Sequence, residues 1–184
     1  MPEYRRILQS GGTFFFTVVT FNRKPILASP ESRAILRKVW MKVRLKHPFE
    51  TLAVCLLPDH LHVIWQLPEG DSNYAVRWNE IKRNFSHEYI QNHENGNSEK
   101  NESRIKRREV TIWQRRYWTH VLYDQEDFNN HIDYIHYNPL KHGLVDQVMD
   151  WQWSSFHRYV RTGVYAPDWC GKADDFSSDE LMGE

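Results

Sequence analysis

The apolar residues of this chain fall into short runs with two different periods. Thr13 to Phe21 (TFFFTVVTF) follows Gly11-Gly12 and is dense in aromatic and β-branched residues, which predicts a first strand. Ser29-Pro30-Glu31 has the form of a helix start. Ile35, Val39 and Val43 then recur at helical spacing to about Lys46, with Leu36 and Trp40 widening the stripe. Phe49 to Leu57 and His60 to Leu67 read as two more strands, and only Pro58-Asp59 separates them, so a hairpin is expected. A second helix is predicted from Tyr74 to Gln91, with Trp78, Ile81, Phe85 and Tyr89 on its apolar side. Gln114 to Tyr123 suits a fourth strand and Asp124 to Asn138 a third helix. The order β-α-β-β-α-β-α is the split βαβ plan: an α+β, ferredoxin-like antiparallel sheet with helices on one face and one helix added.

Residues 92–108 break this pattern. They are polar, lack periodicity and contain Asn-Gly and Ser-Glu-Lys-Asn-Glu-Ser, which reads as a flexible insertion. Too little chain follows to build a second core. We therefore expect one domain over 1–145, with 146–184 as an extension packed on the same domain and ending in an acidic tail. At 184 residues such a domain buries an ordinary core without staples.

Two histidines stand out within the third strand. In Pro58-Asp59-His60-Leu61-His62, the alternation of a strand puts both imidazoles on one face and Leu61 on the other. That is a compact way to hold a divalent metal above a sheet. A structural zinc site is not expected, because Cys55 is read as lying away from His60 and Cys170 is in the tail. The third helix adds a polar face. At ~100° per residue, Phe128, Ile132 and Ile135 form an apolar stripe, while Asp127, His131, Tyr134 and Asn138 cluster on another side and Tyr137 points away from the stripe.

Charge and composition sharpen the picture. Formal net charge is zero, yet residues 1–118 carry 20 Lys+Arg against 12 Asp+Glu, and residues 119–184 carry 4 against 12. Such asymmetry accompanies a polyanion-binding surface. Arg104, Lys106, Arg107, Arg108, Arg115 and Arg116 interleave with Trp113, Tyr117 and Trp118, as backbone tracking with base stacking requires. Lys82-Arg83 and Arg5-Arg6 are further candidates. No apolar run approaches the ~20 residues of a membrane span, no leader is evident, and two cysteines form no framework. A cytoplasmic protein with no membrane association is the expectation.

The segments PDHLHVIWQLPEG, RWNEIKRNFS, WQRRYWTH, HIDYIHYNPLKHGLV and DWQWSSFHRYV, in this order, resemble the REP-associated tyrosine transposases, a branch of the single-tyrosine HUH transposases of the insertion-sequence type. The resemblance spans nearly the whole chain. It implies the HUH endonuclease fold and a DNA transposase that cleaves and rejoins single-stranded DNA, on the nucleoid, beside repetitive extragenic palindromic (REP) hairpins through a 5′-phosphotyrosine. By that resemblance Tyr134 matches the nucleophile, His60 and His62 the metal pair, and Asn138 a third metal ligand. The ion would be Mg²⁺ or Mn²⁺. Pro139 is expected to draw Asn138 out of helical geometry. DNA contacts would come from Arg5, Arg6, Lys82, Arg83, Arg107, Arg108, Arg115, Arg116, Trp118 and His131, the last also a candidate helper to Tyr134. The branch implies a monomer, with a homodimer as the alternative. Two other functions fit parts of the pattern: a non-catalytic nucleic-acid-binding module, and a metal-dependent phosphodiesterase that uses water.

Overall fold

The computed structural model describes residues 11–94 and 112–171. Arg5, Arg6, Arg104, Lys106, Arg107, Arg108 and most of the acidic tail lie outside the described residues.

Four antiparallel strands form the sheet: β1 (Thr13–Val19), β2 (Glu50–Leu56), β3 (His60–Gln66) and β4 (Trp118–Leu122), in the order β2-β3-β1-β4. This is the split βαβ arrangement. β1 is buried on both faces, with Phe14, Phe16 and Val18 on one and Phe15 and Thr17 on the other. That accounts for its near-continuous apolar run. β4 is shorter than its sequence pattern. Residues before Trp118 leave the ladder, and Trp113 makes only an isolated bridge to Thr20.

Two helices, α1 (Pro30–Lys46) and α2 (Tyr74–Glu94), cover the first face. Ser29 caps α1 by accepting a hydrogen bond from Ser32 N at 3.1 Å, with Pro30 at the first turn. Their apolar stripes meet Phe16 and Trp65, and Trp65 stacks on Trp78 at 4.3 Å and 13°. Arg77, 2% exposed, is held by the Asp71 carboxylate at 2.6 Å and by the carbonyls of His47, Pro48 and Asn73.

The third helix, α3 (Gln125–Lys141), takes the opposite face, so helices lie on both sides of the sheet rather than one. Asp124 caps it, accepting from Asp127 N at 2.8 Å. α3 does not end at Asn138. It runs through Pro139 to Lys141, and His142 N closes the last turn on Asn138 O at 3.0 Å. The expected disruption by Pro139 is therefore corrected: the missing N–H costs one backbone bond in the last turn, and the burial of Asn138 and Pro139 holds the helix on through it.

Beyond α3 the chain returns to the free edge of β2 and continues into α4 (Phe156–Arg161). Leu56 N donates to Trp153 O and Ser155 N to Val54 O, both at 2.8 Å. An edge that would otherwise template another strand is thereby covered. No helix among the described residues is long and apolar enough to cross a membrane.

Candidate nuclease centre

The hairpin register fixes the histidine pair. Leu57 N donates to His60 O at 2.9 Å across Pro58-Asp59, so His60 starts β3, and His60 and His62 both face α3. Both are buried, with ring centroids 4.9 Å apart and planes at 84°. Each ring is oriented through Nδ1. His60 Nδ1 meets Asp59 Oδ1 at 2.6 Å, and His62 Nδ1 meets the Thr17 hydroxyl at 2.9 Å. A proton held on Nδ1 leaves the lone pair on Nε2, as in histidines whose far nitrogen is held by a hydrogen bond while the near one binds a metal. Partial burial pushes the Asp59 carboxyl up, but its hydrogen bond to His60 and the nearby Arg23 outweigh this and hold it below the usual carboxylate range.

α3 brings the rest of the site. Tyr134 is buried with its ring 5.2 Å from His62, and His142 packs its ring 5.3 Å from His60. Tyr134 and Asn138 lie on one line of the helix, and His142 caps its end. Asn138, fully buried, stands between Tyr134 and His142 on this side of the helix. Its Oδ1 and the Nε2 of His60 are both buried atoms. Two imidazoles, each oriented through Nδ1, and an amide oxygen suit a hard-to-borderline divalent cation and leave its charge uncompensated for an anionic substrate. Lys141 Nζ lies 3.4 Å from the Tyr134 hydroxyl and 5.0 Å from its ring centroid. Lys141 and His142, which carry no expected role, both stand in the NPLKHG segment that follows Tyr134.

Other expectations change. Cys55 is not distant from the pair: it is the cross-strand partner of His62 and lies on the same face. Complete burial pushes its thiol strongly up, despite hydrogen bonds to Ser154 and Trp151, so the thiolate that zinc binding needs is disfavoured. His131 is not a surface contact. It is 6% exposed, and its Nδ1 donates to Asp127 O at 2.8 Å and approaches Asp127 Oδ1 at 3.0 Å. Burial lowers its pKa, with Asp127 opposing and His120 reinforcing the shift. Its hydrogen bonds thus run back along α3 to Asp127, away from the helper role.

His120, Asp127 and His131 place three ligand-type atoms within 4.8 Å of one another. The two rings are stacked, 4.8 Å apart and only 11° from parallel. An imidazole binds a metal in its own plane, so in these rotamers the cluster is a carboxylate clamp on two rings rather than a formed cation site. Of the aromatic-basic stretch, Trp113 is buried and Tyr117 packs against Trp78, whereas Arg115, Arg116 and Trp118 are exposed. Lys82 donates to Gln114 O beside the Tyr117 ring, and burial lowers its pKa to about 8; Arg83 is exposed.

No protein-family model matches the chain. Over 183 residues, 99% of this chain and 99% of the relative, it is 43% identical to the REP-associated tyrosine transposase of Escherichia coli (strain K12). The chain belongs to the REP-associated tyrosine transposases. A Haemophilus influenzae protein of the same family name is 42% identical over 174 residues, covering 95% of this chain and 96% of the relative. The fold agrees. A solved REP-associated tyrosine transposase bound to a REP hairpin superposes with a TM-score of 0.80 at 41% identity, covering 100% of this chain and 98% of that one. The sheet and α3 are thus those of an HUH-type tyrosine transposase.

Proposed function

We propose that this transposase cleaves and rejoins single-stranded DNA beside REP hairpins, with Tyr134 as nucleophile and His60, His62 and Asn138 as ligands of Mg²⁺ or Mn²⁺. The observation that carries the assignment is the Tyr134 ring against His62, on the helix that also brings Asn138 to the histidine pair. The Tyr134 oxygen forms a bond to phosphorus while the bond from phosphorus to the 3′-oxygen breaks. The phenol gives up its proton, the 3′-oxygen gains one, and a 5′-phosphotyrosine and a free 3′-hydroxyl result. A bound divalent ion supplies charge stabilisation at the phosphate and the departing oxygen. The protein's own residues do the rest. Asp59 and Thr17 hold the two rings in the ligating tautomer, and Lys141 faces the phenolic oxygen with a positive charge. Because the phosphotyrosine retains the bond energy, attack by another 3′-hydroxyl rejoins strands without ATP.

Lys82, Arg83, Arg115, Arg116 and Trp118 contact DNA in this reading, with Arg5, Arg6, Arg107 and Arg108 added from outside the described residues. The exposure of Arg83, Arg115, Arg116 and Trp118 supports it, and the partial burial of Lys82 makes it the weakest member. Coverage of the β2 edge by residues 153–155 supports a monomer, since that edge is closed to a second copy. The site of action is the cytoplasm.

The test is a labelled hairpin oligonucleotide incubated with the protein and Mn²⁺, then resolved under denaturing conditions. A protein–DNA adduct that disappears in Tyr134→Phe is the expected result. Cleavage without an adduct would replace this reading with a water-using phosphodiesterase, and binding without cleavage with a non-catalytic module.

A further inference from the structure

One row of residues crosses the sheet on the α3 face. Trp118 pairs with Thr17, Thr17 with His62 and His62 with Cys55. Directly paired residues of adjacent strands point to the same side, so the Trp118 side chain stands on the same face as the histidine pair. Two strand spacings separate it from His62, about 10 Å. Thr17 lies between and hydrogen-bonds the His62 ring. Trp118 is nevertheless 40% exposed at the outer edge of β4, directly after exposed Arg115, Arg116 and half-buried Tyr117. An exposed indole just after two exposed arginines combines the cation and the stacking face that a single nucleic-acid strand requires. The comparable exposed tryptophan, Trp153, already carries the Arg33 guanidinium 3.8 Å above its ring.

We propose that Trp118 is the stacking platform for an unpaired nucleobase immediately flanking the phosphate that Tyr134 attacks. The proposal rests on the assignment of Tyr134 and the histidine pair above. Base stacking suits the position because every base offers a π-face to an indole, and Trp118 stands only two strand spacings along the row from His62. Trp118 would act by positioning, fixing where the single strand lies, and take no part in the bond changes.

The experiment uses the full chain with Tyr134→Phe, so that DNA binds without being cleaved, and hairpin oligonucleotides carrying 2-aminopurine at successive flanking positions. Hairpin binding is followed separately by anisotropy of a dye in the loop. One flanking position should be quenched on binding. The quenching should vanish with Trp118→Ala and persist with Trp118→Phe. In the cleaving protein, Trp118→Ala should raise the half-saturating oligonucleotide concentration about 5- to 150-fold, the range of one lost base stack. Hairpin binding without Trp118-dependent quenching at any position overturns this inference and leaves the assignment of Tyr134 intact. Quenching lost equally in Trp118→Phe also overturns it, as does a fall in kcat at unchanged half-saturation. Absence of any hairpin binding would overturn the functional reading itself.

Discussion

Replacing Thr17 by Val isolates the contribution of ring orientation to metal binding. Val keeps the shape and β propensity of Thr and removes only the hydroxyl that lies 2.9 Å from His62 Nδ1. Both residues are fully buried, so water does not readily replace the lost partner. A buried ring N–H left unsatisfied costs about 1–3 kcal/mol. Loss of an outer-shell partner to a metal ligand typically lowers affinity about 10- to 100-fold, or about 1.4–2.8 kcal/mol. The two routes agree. Thr17→Val should therefore weaken Mn²⁺ binding about 10- to 100-fold in calorimetric or EPR titrations, while Thr17→Ser, which restores the hydroxyl without the methyl, should lie within a few-fold of the parent. The control is the melting temperature in chelator, which separates a general loss of fold from a loss of orientation. Unchanged Mn²⁺ affinity in Thr17→Val, or an equal loss in Thr17→Ser, would show that the Thr17 hydroxyl does not orient His62 for the ion.

Two further expectations concern charges. Lys141→Met removes the cation 3.4 Å from the Tyr134 hydroxyl; a charge-assisted hydrogen bond of about 1.5–3 kcal/mol translates to single-turnover adduct formation slowed about 10- to 150-fold, with hairpin affinity nearly unchanged and partial recovery in Lys141→Arg. An unaltered rate would show that Lys141 does not act on the phenol. Asp71→Asn weakens the anchoring of buried Arg77 and should cost about 1–3 kcal/mol in urea unfolding at pH 7. The Arg77 hydrogen bond holds the Asp71 carboxyl below its ordinary value, against a smaller opposing effect of burial. Its contribution is therefore complete above the unfolded-state pKa of about 4 and disappears as pH falls through the lower folded-state value. The difference between parent and variant should accordingly shrink on acidification, and a constant difference down to pH 2 would contradict it.

How far the site was legible depends on which physical rule carries each part. Period-2 alternation places His60 and His62 on one face, and period 3.6 places Tyr134 and Asn138 on one line, because local backbone geometry alone sets both. The nearness of Cys55 to His62 was also within reach. Counting back across Pro58-Asp59 pairs residue 57 with 60, 56 with 61 and 55 with 62, which is the observed register. Other parts depend on tertiary packing. The continuation of α3 past Pro139 rests on its burial, against a local preference for ending. The burial of Trp113 and Tyr117 was hidden because residues 112–117 follow no regular period, so exposure could not be inferred from alternation. The choice of the second face for α3 is set by the first face being filled by α1 and α2.

A site divided between a strand and a helix places a particular demand on the core between them. The histidine pair is fixed by contacts within the sheet, from Thr17 and Asp59. Tyr134 is fixed by the seating of α3, where Ile132 and Ile135 pack with Phe15. The Phe15 ring lies 5.7 Å from His62, 4.8 Å from His131 and 6.2 Å from Tyr134, so one buried side chain touches both halves of the centre. The Asp127 clamp on His120 and His131 ties the start of the same helix to β4. Nucleophile-to-phosphate geometry tolerates little error, since a displacement of about 1 Å can cost about a hundredfold in rate. Under the proposed assignment, Phe15 and the Asp127 clamp thus set the distance between Tyr134 and the histidine pair, although neither is placed to touch the reacting atoms. It follows that the histidine motif alone does not define the centre: without the packing that seats α3, the same two imidazoles would remain a metal site with no nucleophile in register.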